Sequence, residues 1–94
     1  MSQKILVKAE KINDHGGAMM LFPNERKVFI KLANGELKAY IVDQSWVYNE
    51  TEVKAIFYGY GENDTVNIAL PDVMSMPIRA VPRASCREIP KEVA

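Results

Sequence analysis

The sequence predicts an all-β domain of five or six strands, a small antiparallel barrel or sandwich, with the barrel favoured. An Asn-Gly pair, Asn34-Gly35, separates two apolar-alternating segments, and this is the strongest short-range hairpin signal. Further short alternating segments are punctuated by Gly, Pro, Asn and Asp clusters, and no stretch keeps a helical period. In a chain of 94 residues, closure of the sheet would remove edges that otherwise invite aggregation.

The elements follow in order. From Lys4 to Ile12, Ile5, Val7 and Ala9 share one face while Lys8 and Glu10 take the other, which predicts a strand. Asn13-Asp14-His15-Gly16-Gly17 breaks it. Ala18 to Phe22 reads as a short strand or a plug over one barrel end, and Pro23-Asn24-Glu25-Arg26 as a turn. Lys27 to Val42 then forms the hairpin. With Asn34-Gly35 as a two-residue type I′ loop, Lys31 faces Lys38, Phe29 faces Tyr40 and Val28 faces Ile41. That register gathers Val28, Ile30, Leu32, Leu37, Ala39 and Ile41 on one apolar face. A slip by one residue would turn a whole strand over. A second hairpin runs from Val53 to Tyr60 and from Thr65 to Leu70 around Gly61-Glu62-Asn63-Asp64. A loop from Pro71 to Pro77, a strand from Ile78 to Val81, a tight turn over 82–85 and a closing strand from Cys86 to Ile89 complete the reading, with 90–94 as a frayed tail.

The C-terminal pattern, Thr65 to Leu70 followed by Ile78 to Pro90, resembles the closing strand, one-turn 3₁₀ helix and last strand of SH3-like barrels, including Tudor and KOW modules. The region from Val28 to Trp46 resembles the second and third strands of OB-folds such as the S1-like initiation factors. The SH3-like topology is the favoured of the two. Both resemblances imply a barrel that binds nucleic acid or peptides, and neither assigns a site residue.

Composition narrows the functional classes. The length fits one domain, residues 1–94, without room for a separate catalytic domain. No apolar run approaches the roughly 18 residues of a membrane span, and the N-terminus lacks the pattern of a signal peptide, so a soluble, cytoplasmic protein without a membrane partner is expected. Twelve basic and twelve acidic residues give no global field. The basic residues concentrate in 1–48 and 77–94, so an anion-binding surface would have to be local and built from both ends of the chain. Cys86 is the single cysteine and His15 the single histidine, which predicts no disulfide, no zinc and no cofactor. The sequons at Asn49 and Asn63 have no consequence without secretion.

Catalytic motifs are missing. Gly59-Tyr60-Gly61 lies in a hairpin and does not open a helix, so it reads as a turn and not as a phosphate loop. His15 and Cys86 have no sequence feature that brings them together, and Glu50, Glu52, Glu62 and Asp64 read as solvated turn acids. No catalytic residue is assigned, and the protein is expected not to be an enzyme.

Binding features are better represented. The outward side of the Asn-Gly hairpin carries Phe29, Lys31, Lys38 and Tyr40, and Trp46 and Tyr48 join them if the strand continues without a bulge. Arg79, Arg83 and Arg87 recur every four residues and would share one side of an extended chain. These nine residues are the candidate site. Covered aromatics favour a protein partner or a second copy in a homo-oligomer, and the interleaved lysines favour RNA or single-stranded nucleic acid as the alternative. A small-molecule or enzymatic role ranks third.

Overall fold

The computed structural model describes residues 3–13, 22–72 and 77–91. They form β1 (Gln3–Lys8), β2 (Lys11–Asn13), β3 (Glu25–Lys31), β4 (Leu37–Asp43), a first 3₁₀ turn (Gln44–Trp46), β5 (Val47–Asn49), β6 (Glu52–Tyr60), β7 (Thr65–Ala69), β8 (Arg79–Pro82), a second 3₁₀ turn (Arg83–Ser85) and β9 (Cys86–Glu88). There is no α-helix among the described residues. Every strand pair is antiparallel. The chain is therefore all-β, as its alternation predicts. Among the described residues no sheet closes into a barrel: the strands make two sheets, one in the order β8-β7-β6-β1-β9 with β5 beside β6, the other in the order β2-β3-β4. Both contribute to one core, which joins Ile5, Val7, Val53, Ala55, Val66, Ile68 and Val81 of the larger sheet to Val28, Ile30, Tyr40 and Val42 of the smaller. The shortest dimension, 22 Å, suits two layers spaced about 10 Å apart.

The segment from Lys4 to Ile12, expected as one strand, is two strands in two sheets. Ala9 N–H donates to the Thr51 carbonyl beside β6, and the next amide, Glu10 N–H, donates to Phe29 in β3. The crossing costs one residue of alternation. Ala9 is buried in phase with Ile5 and Val7, whereas the next apolar residue to meet the core is Ile12. His15 and the stretch from Ala18 to Leu21 lie outside the described residues.

At the Asn-Gly hairpin the register departs from the expected one by a single position. Lys31 stands opposite Leu37, Ile30 opposite Lys38, Phe29 opposite Ala39 and Val28 opposite Tyr40. The loop holds three residues. Gly35 N–H donates to the Leu32 carbonyl and Leu32 N–H to the Glu36 carbonyl, a type I turn followed by a G1 bulge. Gly35 has φ +89° and Asn34 does not enter positive φ, so the type I′ turn is not formed. The Asn34 side chain instead accepts from Glu36 N–H at 2.9 Å. Tyr40 is consequently buried, and Leu37, expected on the core face, is 54% exposed. The loop rests on the other sheet through Ala33 N–H and the Ala80 carbonyl, 2.9 Å apart.

Different costs follow for the two loop residues. Gly35→Ala should destabilise by roughly 1–2 kcal/mol through its left-handed backbone alone, since a methyl there meets nothing within 4 Å. Asn34→Ala should cost less, because it loses one exposed hydrogen bond. Urea denaturation of both variants checks the order, and an equal or reversed order would point back to a type I′ loop.

The second hairpin forms as expected, with Gly61 N–H donating to Thr65 across the loop. Its register shifts between Phe57, opposite Ile68, and Tyr60, opposite Val66, which marks one extra residue in β6. Gly59 sits in this bulge with φ +103°, a conformation open to glycine and costly for most residues. Gly59-Tyr60 thus belongs to a strand, not to a turn.

Candidate functional site

The bulge decides where the aromatic residues point. Phe57 and Tyr60 are three apart and would face opposite sides of a regular strand. The extra residue at Gly59 returns Tyr60 to the side of Phe57, and their rings meet edge to face with centroids 5.3 Å apart and an interplanar angle of 72°. The second 3₁₀ turn places Arg83 beside them. Its backbone N–H donates to the Asp64 carbonyl, which ties the turn to the β6–β7 loop. Its guanidinium lies 4.7 Å from the Tyr60 ring centroid. These groups border a surface cleft of about 430 Å³, lined also by Ile5, Val66 and Cys86 and, at its polar rim, by Gln3, Arg87 and Glu88. Tyr60 is 66% exposed, so an aromatic ring is presented to solvent while two neighbours hold it in place. No carboxylate among the described residues pairs with Arg83. Its planar set of donors can receive a carboxylate or phosphate bidentately.

Cys86 lines the same cleft. Burial pushes its thiol above the usual range, and its Sγ lies 3.7 Å from the Pro82 carbonyl. A thiol raised in this way is a weak nucleophile, and the groups around it offer stacking, packing and an arginine fork. Among the described residues no group of three or more His, Cys, Asp and Glu converges on a point where a metal could sit.

A second grouping lies on the outer face of the larger sheet. β1 runs between β6 and β9, with Leu6 opposite Lys54 on one side and Arg87 on the other. By alternation Lys4, Leu6 and Lys8 share this outer face, away from Ile5 and Val7. The first 3₁₀ turn is fixed against the same side. The Asp43 carboxylate caps it by accepting from Ser45 N–H at 2.8 Å, and that bond holds its carboxyl below the ordinary range. Lys54 Nζ reaches the Ser45 carbonyl at 3.3 Å, and Lys4 Nζ stands 5.0 Å from the Trp46 ring. Arg87 lies 5.9 Å from the Tyr48 ring and grips Glu52 through Nε and Nη2 at 2.6 and 2.7 Å.

That grip carries a pH dependence. Hydrogen bonding to Arg87 lowers the Glu52 carboxyl from 4.5 to about 2. A depressed carboxyl stabilises the fold above its unfolded value and loses that stabilisation as the pH falls through the folded one. Stability should therefore decline between about pH 4.5 and 2, and Glu52→Gln should flatten this part of the curve. Denaturation midpoints across that range check it, and an unchanged slope in Glu52→Gln would remove the pair from the account.

Measured against these two groupings, the nine residues singled out from sequence separate. Phe29 and Lys31 remain on the outward side of the hairpin, where Lys27 Nζ lies 5.4 Å from the Phe29 ring. Lys38 is on the core side, half-buried opposite Ile30, so the expected Lys31–Lys38 pair does not exist. Tyr40 is in the core, its phenol pushed up by burial against the opposing charge of nearby Arg79. Trp46 and Tyr48 leave the hairpin altogether, because the 3₁₀ turn after Asp43 carries the chain into β5 on the other sheet. The arginine row is broken by the second 3₁₀ turn. Arg79 joins Tyr40, Arg83 joins Tyr60, and Arg87 joins Glu52 and Tyr48. Sequence reasoning missed Phe57 and Tyr60 as a pair, although a glycine inside a strand pattern is a recognised sign of a bulge.

Comparison with protein families, with curated proteins and with solved structures finds no match for this chain, so its function is argued from the geometry above. No helix among the described residues is long and apolar enough to cross a membrane.

Proposed function

We propose that the protein is a non-catalytic binding module that takes an extended segment of another protein in the cleft between β6, β9 and the second 3₁₀ turn. The observation that carries this is Tyr60, exposed yet braced by Phe57 and stacked under an Arg83 whose donors no described carboxylate occupies. Tyrosine and arginine dominate binding energy at protein interfaces, because each offers a large contact area with a polar end. A floor of Ile5, Phe57 and Val66 suits an apolar side chain, and Arg83 suits a carboxylate next to it. The occupant argued for is therefore a segment that pairs an apolar residue with an acidic one. The fold supports the SH3-like reading over the OB-like one, since β8 and β9 end the larger sheet and are joined by a single 3₁₀ turn.

Selection from a displayed library of random peptides tests the proposal. Peptides retained by the protein and released by Tyr60→Ala should share an acidic residue beside an apolar one. Enrichment that is identical for the two forms, or none at all, would overturn it. Light scattering on the free protein distinguishes a second copy as occupant, since a dimer lost in Tyr60→Ala would mean that the segment belongs to this chain.

A further inference from the structure

The outer face of β9, β1 and β6 shares only Arg87 with the lining of the cleft and carries a different kind of chemistry. The strand registers surround Leu6 with Lys4 and Lys8 along β1, Lys54 across in β6 and Arg87 across in β9. Standard strand geometry sets these positions about 6.7 Å from Leu6 along the chain and about 4.8 Å across it. Leu6 is wholly buried although it points away from the main core, as expected where long basic stems lie over an apolar centre and lift their charges to the surface. Among outward positions of these three strands, four cations meet one carboxylate, Glu52. In a chain with equal numbers of acids and bases, this is a strong local segregation. Two of the cations come from the N-terminal strand and one from the C-terminal strand, joined because β1 and β9 are neighbours.

Two aromatic rings border this cluster. Lys4 stands over Trp46 and Arg87 over Tyr48, and Tyr48 is exposed. Cations interleaved with rings on a flat sheet match a polyanion whose repeating units also have flat faces, because phosphates meet the ammonium and guanidinium groups while bases stack on the rings. An acidic peptide would use the charges and leave the rings idle. A duplex hides its base faces, and nothing here projects into a groove. We infer that this face binds single-stranded nucleic acid without sequence preference.

Trp46 is the only tryptophan, so its fluorescence reports on the face directly. Titration of the full chain with a short oligothymidylate at low salt should quench it. The affinity should fall with salt with a logarithmic slope of about −2 to −3, from three or four contacts at about 0.7 each. Lys4→Gln/Lys54→Gln, which keeps much of each stem, should shrink the slope by about 1.4. Tyr48→Ala should weaken binding roughly 5- to 150-fold through lost stacking. Unchanged thermal melts would show that these variants fold. No quenching at low salt would overturn the inference, and so would tighter binding of duplex than of single strand. Polyglutamate binding as tightly as the oligonucleotide, with no effect of Tyr48→Ala, would overturn it in favour of an acidic protein partner.

Discussion

Alanine at Tyr40 is expected to cost about 3–4 kcal/mol of stability, the range for removing a large aromatic side chain from a core. Tyr40 is 4% exposed and packs with Val28, Ile30 and Val42, so the substitution leaves a cavity between the two sheets. Ile41→Ala, one residue on, should cost far less because Ile41 is only half-buried on the other side of β4. Urea denaturation of the two variants reads the register of the hairpin directly. With a type I′ loop the order would invert, since Ile41 would then lie in the core and Tyr40 outside it. Tyr40→Phe isolates the polar end. It keeps the ring that fills the core and should cost far less than Tyr40→Ala.

The second large effect concerns the cleft. Tyr60→Ala and Arg83→Ala should each weaken a selected acidic peptide by about 30-fold or more, the equivalent of the roughly 2 kcal/mol that marks an interface anchor. Both side chains are exposed, so both variants should melt close to the parent. Arg83→Lys is informative beside them. It keeps the charge and loses the planar fork and its stacking on Tyr60, and it should recover only part of the affinity. Calorimetric titration with the selected peptide checks all three. A lysine variant that binds as well as the parent would reduce Arg83 to a point charge.

The all-β class and most strand positions could be read from the sequence because alternation and turn residues are local signals. The register of the first hairpin could not. Ala39-Tyr40-Ile41-Val42 is apolar at every position, so either face of β4 can be taken as the core face, and Asn34-Gly35 fits a type I turn with a G1 bulge as well as a type I′ turn. One residue of loop length then moved Tyr40 from a supposed binding surface into the core. The route of Trp46 and Tyr48 turned on Asp43, whose side chain caps a 3₁₀ turn and ends β4 where a continuous strand was expected. A short acidic side chain at the end of an apolar run signals such a cap, but its effect on which sheet receives the next strand is tertiary. The outer basic cluster was half visible. Lys4 and Lys8 alternate against Ile5 and Val7 in the sequence, whereas their meeting with Lys54 and Arg87 depends on pairings between residues about 50 and 80 positions apart, which no local pattern encodes. Short hairpin-connected strands without a helical period fit a barrel or a sandwich alike, and only pairings between distant strands show that no sheet closes among the described residues.

The most direct measurement of the central claim is amide chemical-shift mapping of the labelled protein with a selected peptide carrying one acidic and one apolar residue. The largest shifts should fall on Ile5, Phe57, Tyr60, Arg83 and Cys86, and Tyr60→Ala should abolish them under conditions that leave the rest of the spectrum in place. Shifts confined to the outer face around Lys4, Lys8 and Lys54, or to the outward side of the hairpin at Phe29 and Lys31, would contradict the assignment of the cleft as the binding site.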